Sequence, residues 1–271
     1  MAKKRILITG KGSYVGTSFI KWLSQWPDEY EVDEISVRGE EWKQYDFSQY
    51  DSVIHLAAIV HQRRMLDERS YYDINAELPY LIANKAASEG VKQFIFFSSM
   101  AVYGLNGKVN KWIEIDETTP CRPVTPYGKS KLLAEHKLES LKSEHFYIAV
   151  LRPPMIYGDE CKGNYMRLRY LVNKLTVFPD IDNQRSLLHI KLLCSYIKAK
   201  IDTQSEGLFF PQDLKYSSTK ELLINLSFEQ GRSVKFTKLF NPFVSCASFL
   251  GISSVDKLFG NLVYSQSLSS L

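Results

Sequence analysis

The chain has 271 residues, 45% of them hydrophobic and 24% charged, which suits one large α/β domain with an appendage, or two domains, and excludes a disordered chain. Its net charge of +4 arises from 34 lysines and arginines scattered among 30 acidic residues, and the one dense basic cluster, "KKR" at 3–5, makes no stripe for nucleic acid. The four cysteines, Cys121, Cys161, Cys194 and Cys246, form no C-x-x-C pair, so no metal site is expected and free thiols are.

No apolar run approaches the roughly 20 residues that a membrane helix needs, and "RILITG" is too short for a signal-peptide core. A soluble cytoplasmic protein without a membrane span is expected. Residues 5–9, "RILIT", are a β-branched run stopped by Gly10 and read as a buried strand. Helical periodicity follows over 14–26 and ends at Pro27. Further strands are predicted at 34–38, 52–58, 93–99 and 146–152. Helices are predicted at 77–90, with Gly90 at the C-terminal end, and at 127–142. Strands alternating with helices, with near-continuous apolar strands, predict an α/β fold: a Rossmann-like doubly wound parallel sheet covered on both faces. The proline pair of "RPPMIYG" marks a junction. Residues 1–152 are expected to form a dinucleotide-binding domain. Residues 153–271 are expected to form mainly a small mixed substrate-binding region, with some segments returning to the sheet. Near the end, "GLFFPQDLKYSSTKELL" reads as strand, loop and a helix capped by Ser218 or Thr219.

Three segments carry chemistry at one edge of that sheet. "ITGKGSYVG" joins the first strand to the first helix. Gly10, Gly12 and Gly16 let the backbone turn sharply and approach a pyrophosphate at the helix N-terminus, with Ser13, Tyr14 and Val15 between them. "HLAA" ends a neighbouring strand with Leu56, Ala57 and Ala58, small enough for close approach of a flat cofactor. The second strand ends in Arg38 rather than a carboxylate. An arginine there suits a 2′-phosphate and so favours NADP slightly over NAD; stacking on adenine or simple exposure are the other readings. "FFSSMAVYG" leaves Ser99 at a strand's C-terminal end, where open α/β sheets bind ligands. "TPYGKSK" puts Tyr127 and Lys131 one helical turn apart. Such a pair is by itself a common helix-surface contact. At this edge it suits proton transfer beside a hydride step. A free tyrosine has a pKa of about 10, and a nearby ammonium is expected to lower it.

These segments, with "YYDIN" and "LRPPMIYG", resemble the extended short-chain dehydrogenase/reductases, specifically the nucleotide-sugar epimerase/dehydratase family, over nearly the whole chain. The resemblance implies that Tyr127 is the catalytic acid/base, Lys131 its partner and Ser99 the third member. It implies that Asn75 stands beside the active site, that Asp46 and Phe47 flank adenine, and that Pro154 and Met155 lie at the nicotinamide. Asn164 and Arg185 match residues that hold the substrate diphosphate, and His61 is a candidate for the sugar pocket. The usual G-x-x-G-x-x-G loop is altered, since its middle glycine is Ser13. The link from the second strand to "DFSQYD" is short, so a helix of the family is expected to be missing there. The family also dimerises through two helices, and the helices holding "NKAASEG" and "LLAEHKLESL" could form that bundle in a homodimer.

In the family's dehydratases an Asp-Glu pair follows the active-site serine or threonine. Met100 and Ala101 follow Ser99 and cannot transfer a proton, so dehydration is disfavoured. A 4-epimerase acting on UDP-linked hexoses or N-acetylhexosamines, or on their lipid-linked forms, for surface polysaccharides is the first expectation. An NADPH-dependent 4-ketoreductase or dehydrogenase is the second. A non-catalytic dinucleotide-binding regulator is a remote third, since such proteins commonly lose the tyrosine or lysine.

Overall fold

A computed structural model describes residues 3–60, 67–161 and 163–269. The first half alternates as predicted. β1 (Lys4–Thr9) leads through a glycine loop to α1 (Tyr14–Leu23), then β2 (Tyr30–Ile35) and β3 (Ser52–His55). A helix follows in three parts: α2 (Glu68–Tyr72), one π-helical turn over Asp73–Glu77, and α3 (Leu78–Ser88). Next come β4 (Gln93–Phe97), the short β5 (Glu114–Ile115), α4 (Pro126–Glu139) and β6 (Tyr147–Leu151).

The predicted strand ends move for one physical reason. The amides of Gly10 and Lys11 both bond to the carbonyl of Ile35, and those of Leu56 and Ala57 both bond to the carbonyl of Thr9. Each ladder therefore closes at Thr9. The second strand stops at Ile35 instead of Arg38, and the third at His55 instead of Ala58. The freed residues become loops at the C-terminal edge. Between β2 and β3 lies only a 3-10 turn over Glu41–Gln44, as the short link implied.

The second half contains β7 (Met155–Tyr157), α5 (Asn164–Lys174), β8 (Val177–Pro179), β9 (Leu187–His189), α6 (Ile190–Asp202) and β10 (Gly207–Phe209). It ends with α7 (Thr219–Glu229), β11 (Lys235–Thr237), α8 (Asn241–Phe249), α9 (Ser253–Phe259) and β12 (Val263–Tyr264). Ser218 caps α7 reciprocally with Glu221.

Six strands form one parallel sheet in the order β10-β6-β4-β3-β1-β2. Side chains alternate across it. Leu7 joins Phe47, Val53, Ile82 and Ala134 in the core under α3 and α4, whereas Ile6 and Ile8 join Phe19, Leu193 and Ile197 under α1 and α6. Full burial of such a side chain stabilises by roughly 1.5–3 kcal/mol. Three parallel pairs, β7 with β9, β8 with β11 and β5 with β12, build the region beyond the sheet edge.

Candidate active site

The chain leaves β1 at Gly10, whose φ is +122°. A Cβ there would lie 2.8 Å from the backbone nitrogen of Ala57, so glycine is required for the loop to rest on the end of β3. Ser13 then caps α1, its hydroxyl accepting the Gly16 amide at 3.2 Å. A Cβ on Gly16 would fall 2.7 Å from that same oxygen. The loop borders a cavity of about 670 Å³, lined by Gly10–Ser13, Ser36–Gly39 and Leu56–Ile59. The cavity therefore brings together Gly10, Gly12, Ser13, Arg38, Leu56, Ala57 and Ala58. Glycine backbone at a helix N-terminus, small side chains and a cation on the far wall fit a dinucleotide. Val15 and Tyr14 pack towards the core instead, and the Tyr14 hydroxyl donates to the carbonyl of Asp159 at 2.9 Å. One contact went unforeseen: the Gly12 amide donates to the Glu34 carboxylate at 3.4 Å.

The two expected adenine neighbours, Phe47 and Asp46, make contacts outside the cavity lining. The Phe47 ring is fully buried in the core, and its amide donates to Glu89 at 2.7 Å. The Asp46 carboxylate closes a turn onto the amide and hydroxyl of Ser48, which lowers its pKa. Neither lines the cavity. Asn75 is turned inward beside α4. The π-helical turn points it inward, where it accepts from the Ile59 amide and donates to the Ile59 carbonyl, both at 2.9 Å, and donates to the Ser130 hydroxyl at 3.1 Å. It is fully buried, and it holds the strand-end loop against α4.

Past β4, Ser99 is extended and caps the 3-10 turn Met100–Tyr103, its hydroxyl accepting the Ala101 amide at 3.1 Å. α4 starts at Pro126 with Thr125 as its cap, so Tyr127 sits in the first turn and Lys131 one turn on. The Ser99 hydroxyl lies close enough to Tyr127 to favour its phenolate. The Lys131 ammonium donates to the Phe97 carbonyl at 2.7 Å and stands 4.7 Å from the centre of the Phe96 ring. Burial draws Lys131 down to about 7, against the pull of Glu135. Burial raises the pKa of Tyr127, and the neighbouring Ser99 hydroxyl opposes that rise. The expected lowering of Tyr127 by Lys131 is thus corrected. The ammonium is spent on the end of β4, and the group that favours phenolate is the Ser99 hydroxyl. His55 lies buried below, bonded to the Thr9 hydroxyl at 2.8 Å between Phe94 and Phe96. Burial, with the Lys131 charge adding to it, holds His55 at about 3, so it is neutral.

A buried ion pair ties these parts together. Arg152, just past β6, donates to Glu135 of α4 through Nε at 3.0 Å and Nη2 at 2.5 Å. Its Nη1 donates to the Tyr103 hydroxyl at 2.8 Å. The Ser98 hydroxyl donates to the same carboxylate, and the Tyr264 hydroxyl donates to the Arg152 carbonyl at 2.9 Å. Burial opposes the Arg152 charge, yet Glu135 leaves its pKa raised. An arginine closing an apolar strand, and a glutamate four residues after a lysine, were the only signals of this pair in the sequence.

A second cavity, of about 490 Å³, lies between α5, α7 and α9 and is lined by Met155, Arg167, Arg185 and Lys257 among apolar side chains. Met155 is thus on this side, not at the glycine loop, and Pro154 precedes it, buried. Arg185 lies two residues before β9. Its backbone pairs with Ser217, its Nη1 donates to the Gly260 carbonyl at 3.1 Å, and burial lowers its pKa. Among the described residues no carboxylate forms a salt bridge with Arg167, Arg185 or Lys257, so three cations converge without counter-charge. Asn164 opens α5, but its side chain lies outside the described residues, as does all of His61.

The sequence profile of the NAD dependent epimerase/dehydratase family matches residues 6–207. A UDP-glucose 4-epimerase of Vibrio cholerae is 28% identical over 253 residues, covering 83% of this chain and 75% of its own. The N-acetyl-alpha-D-glucosaminyl-diphospho-ditrans,octacis-undecaprenol 4-epimerase of Escherichia coli O157:H7 is 29% identical over 219 residues, 74% of this chain. The chain spans 64% of the length of that relative. In fold it is similar to the UDP-glucuronic acid 4-epimerase of Bacillus cereus, solved with NAD, with a TM-score of 0.71 at 19% identity over 96% of this chain and 88% of the other.

Proposed function

The chain belongs to the NAD-dependent epimerase/dehydratase family, and on that premise we propose that it is a 4-epimerase of UDP-linked hexoses or N-acetylhexosamines serving surface polysaccharide synthesis. It is an NAD(P)-dependent enzyme of the sugar-nucleotide epimerase and reductase type. The observation that carries the reading is the placement of Ser99 at the end of β4 and of Tyr127 and Lys131 one turn apart on α4, at the sheet edge that also holds the glycine loop.

When bound, a nicotinamide dinucleotide supplies the hydride acceptor and donor. Tyr127 Oη takes the proton of the sugar C4 hydroxyl on oxidation and returns one on reduction. Ser99 Oγ holds the same oxygen and stabilises phenolate. Lys131 fixes the end of β4 through the Phe97 carbonyl. Arg185, with Arg167 and Lys257, holds the substrate diphosphate, for which their unpaired charges are suited. Residues 153–271 serve mainly the substrate, and residues 1–152 the cofactor. The 4-keto sugar must turn over before it is reduced on its other face, and nothing after Ser99 can expel a hydroxide, since Met100 and Ala101 follow it.

A second reading has its own observation. Arg38 lines the cavity where a carboxylate would favour NAD, which supports NADP and an NADPH-dependent 4-ketoreductase. Incubation with UDP-glucose and UDP-N-acetylglucosamine at substoichiometric cofactor separates the two. The epimerase reading predicts galacto epimers by chromatography with no net absorbance change. Consumption of one NADPH per 4-keto sugar, with saturated UDP-sugars untouched, would replace it with the reductase.

A further inference from the structure

Helix α8 is inside out. Its exposed arc holds Pro242, Phe243, Cys246, Phe249 and Leu250 and no polar residue, while its hydroxyls face the protein. The Ser248 hydroxyl donates to buried Asp256, and the Ser245 hydroxyl accepts from Asn110 at 3.2 Å. Phe243, Phe249 and Leu250 are 72%, 90% and 70% exposed, and Leu239 just before the helix is 72% exposed. A helix on a water-facing surface shows the opposite pattern, and a contiguous apolar patch of this kind marks an interaction face.

Charge indicates what covers it. From Gly231 to Val255 the chain has Arg232, Lys235 and Lys238 and no acidic residue. Lys235 and Lys238 are exposed beside the patch. Aromatic and aliphatic side chains on one face with lysines at their flank match the chemistry of a segment seated in the interface of an anionic bilayer. The position relative to the second cavity agrees. α8 packs on α9, and α9 sends Ser254, Lys257 and Leu258 into the cavity where Arg167 and Arg185 converge.

We propose that the α8 face docks the protein on an anionic membrane surface, bringing the cationic cavity to a diphospho-sugar whose lipid tail remains in the bilayer. The docking stands on α8 alone; the substrate half rests on the epimerase reading.

The test is co-sedimentation of the full chain with phosphatidylglycerol vesicles and, in parallel, with phosphatidylcholine vesicles. Binding to the first, weakened by salt, and little binding to the second are expected. Lys235→Gln with Lys238→Gln should weaken binding roughly thirtyfold, at about 1 kcal/mol per lysine. Phe243→Ser with Phe249→Ser and Leu250→Ser should weaken it at least about tenfold. Circular dichroism checks that each variant folds, and the lysine variant leaves the core untouched. Turnover of soluble UDP-sugar should be unchanged in both variants. Vesicle binding requires no turnover, so a failed docking and a failed epimerase reading are told apart. Absence of vesicle binding, or binding unchanged in both variants, would overturn the proposal. So would sedimentation equilibrium showing a dimer that the triple variant dissociates, which would make the face a contact between copies.

Discussion

Lys131 is buried where an ammonium is unfavourable, and its ionisation records that. Its pKa in the folded protein is about 7, against an ordinary 10.5. Between those values the unfolded chain binds the proton and the folded chain does not. Stability contributed by this group is therefore fully present above the ordinary 10.5 and is lost progressively as pH falls from there to about 7. Lys131→Met should remove that dependence. Urea unfolding of both proteins at a series of pH values from about 7 to 9 should show the wild type gaining stability relative to the variant as pH rises. Parallel curves would contradict the assignment. Tyr127→Phe should fold and bind cofactor normally but lose turnover by roughly 10²–10⁴-fold, the usual contribution of general acid–base catalysis. Near-normal turnover would remove Tyr127 from the mechanism. The placement of Ser99 at a strand end, and of Tyr127 and Lys131 one turn apart on a proline-started helix, was legible in the sequence because strand and helix starts are signalled locally. The partners of Asn75 were not legible, because Ile59 and Ser130 are 16 and 55 residues away and only the π-helical turn aims it at them.

At the scale of elements, α4 is held to the sheet by charge as well as by packing. Breaking a buried ion pair from one side leaves an uncompensated charge and costs about 3–5 kcal/mol. Glu135→Leu or Arg152→Met alone should each lose stability on that scale, while the double variant should lose distinctly less. Thermal or urea unfolding in a double-mutant cycle checks it, and additive losses would mean that the pair does not act as a unit. Strand ends set the cofactor side. Because β2 stops at Ile35, Ser36 to Gly39 become cavity wall, and Arg38 faces the space instead of a ladder. Arg38→Ala should weaken NADP more than NAD by calorimetric titration; an equal effect on both would reduce Arg38 to a surface or stacking role. The existence and type of the long elements were legible from periodicity. Their ends were not, since they depend on which carbonyl the neighbouring strand offers. The same applies to Phe47, whose burial follows from long-range packing in a short and otherwise irregular link.

For the molecule as a whole, the six-stranded sheet was legible from alternation of strand and helix, and the region beyond it was not. That region rests on paired strands of two or three residues, such as β5 with β12, which lie some 150 residues apart and have no period to read. It nonetheless closes the second cavity and places Arg185 there with Arg167 and Lys257, two cations that no motif singled out. On the proposed function this assembly removes and returns one hydride at the sugar C4. The most direct measurement is the fate of deuterium placed at C4 of a UDP-hexose, followed by mass spectrometry and proton NMR with catalytic cofactor and no added reductant. The expected product is the inverted epimer with deuterium retained at C4, with no conversion by Tyr127→Phe. Loss of the deuterium from C4, or no inverted sugar while NADPH is consumed stoichiometrically against a 4-keto sugar, would contradict it.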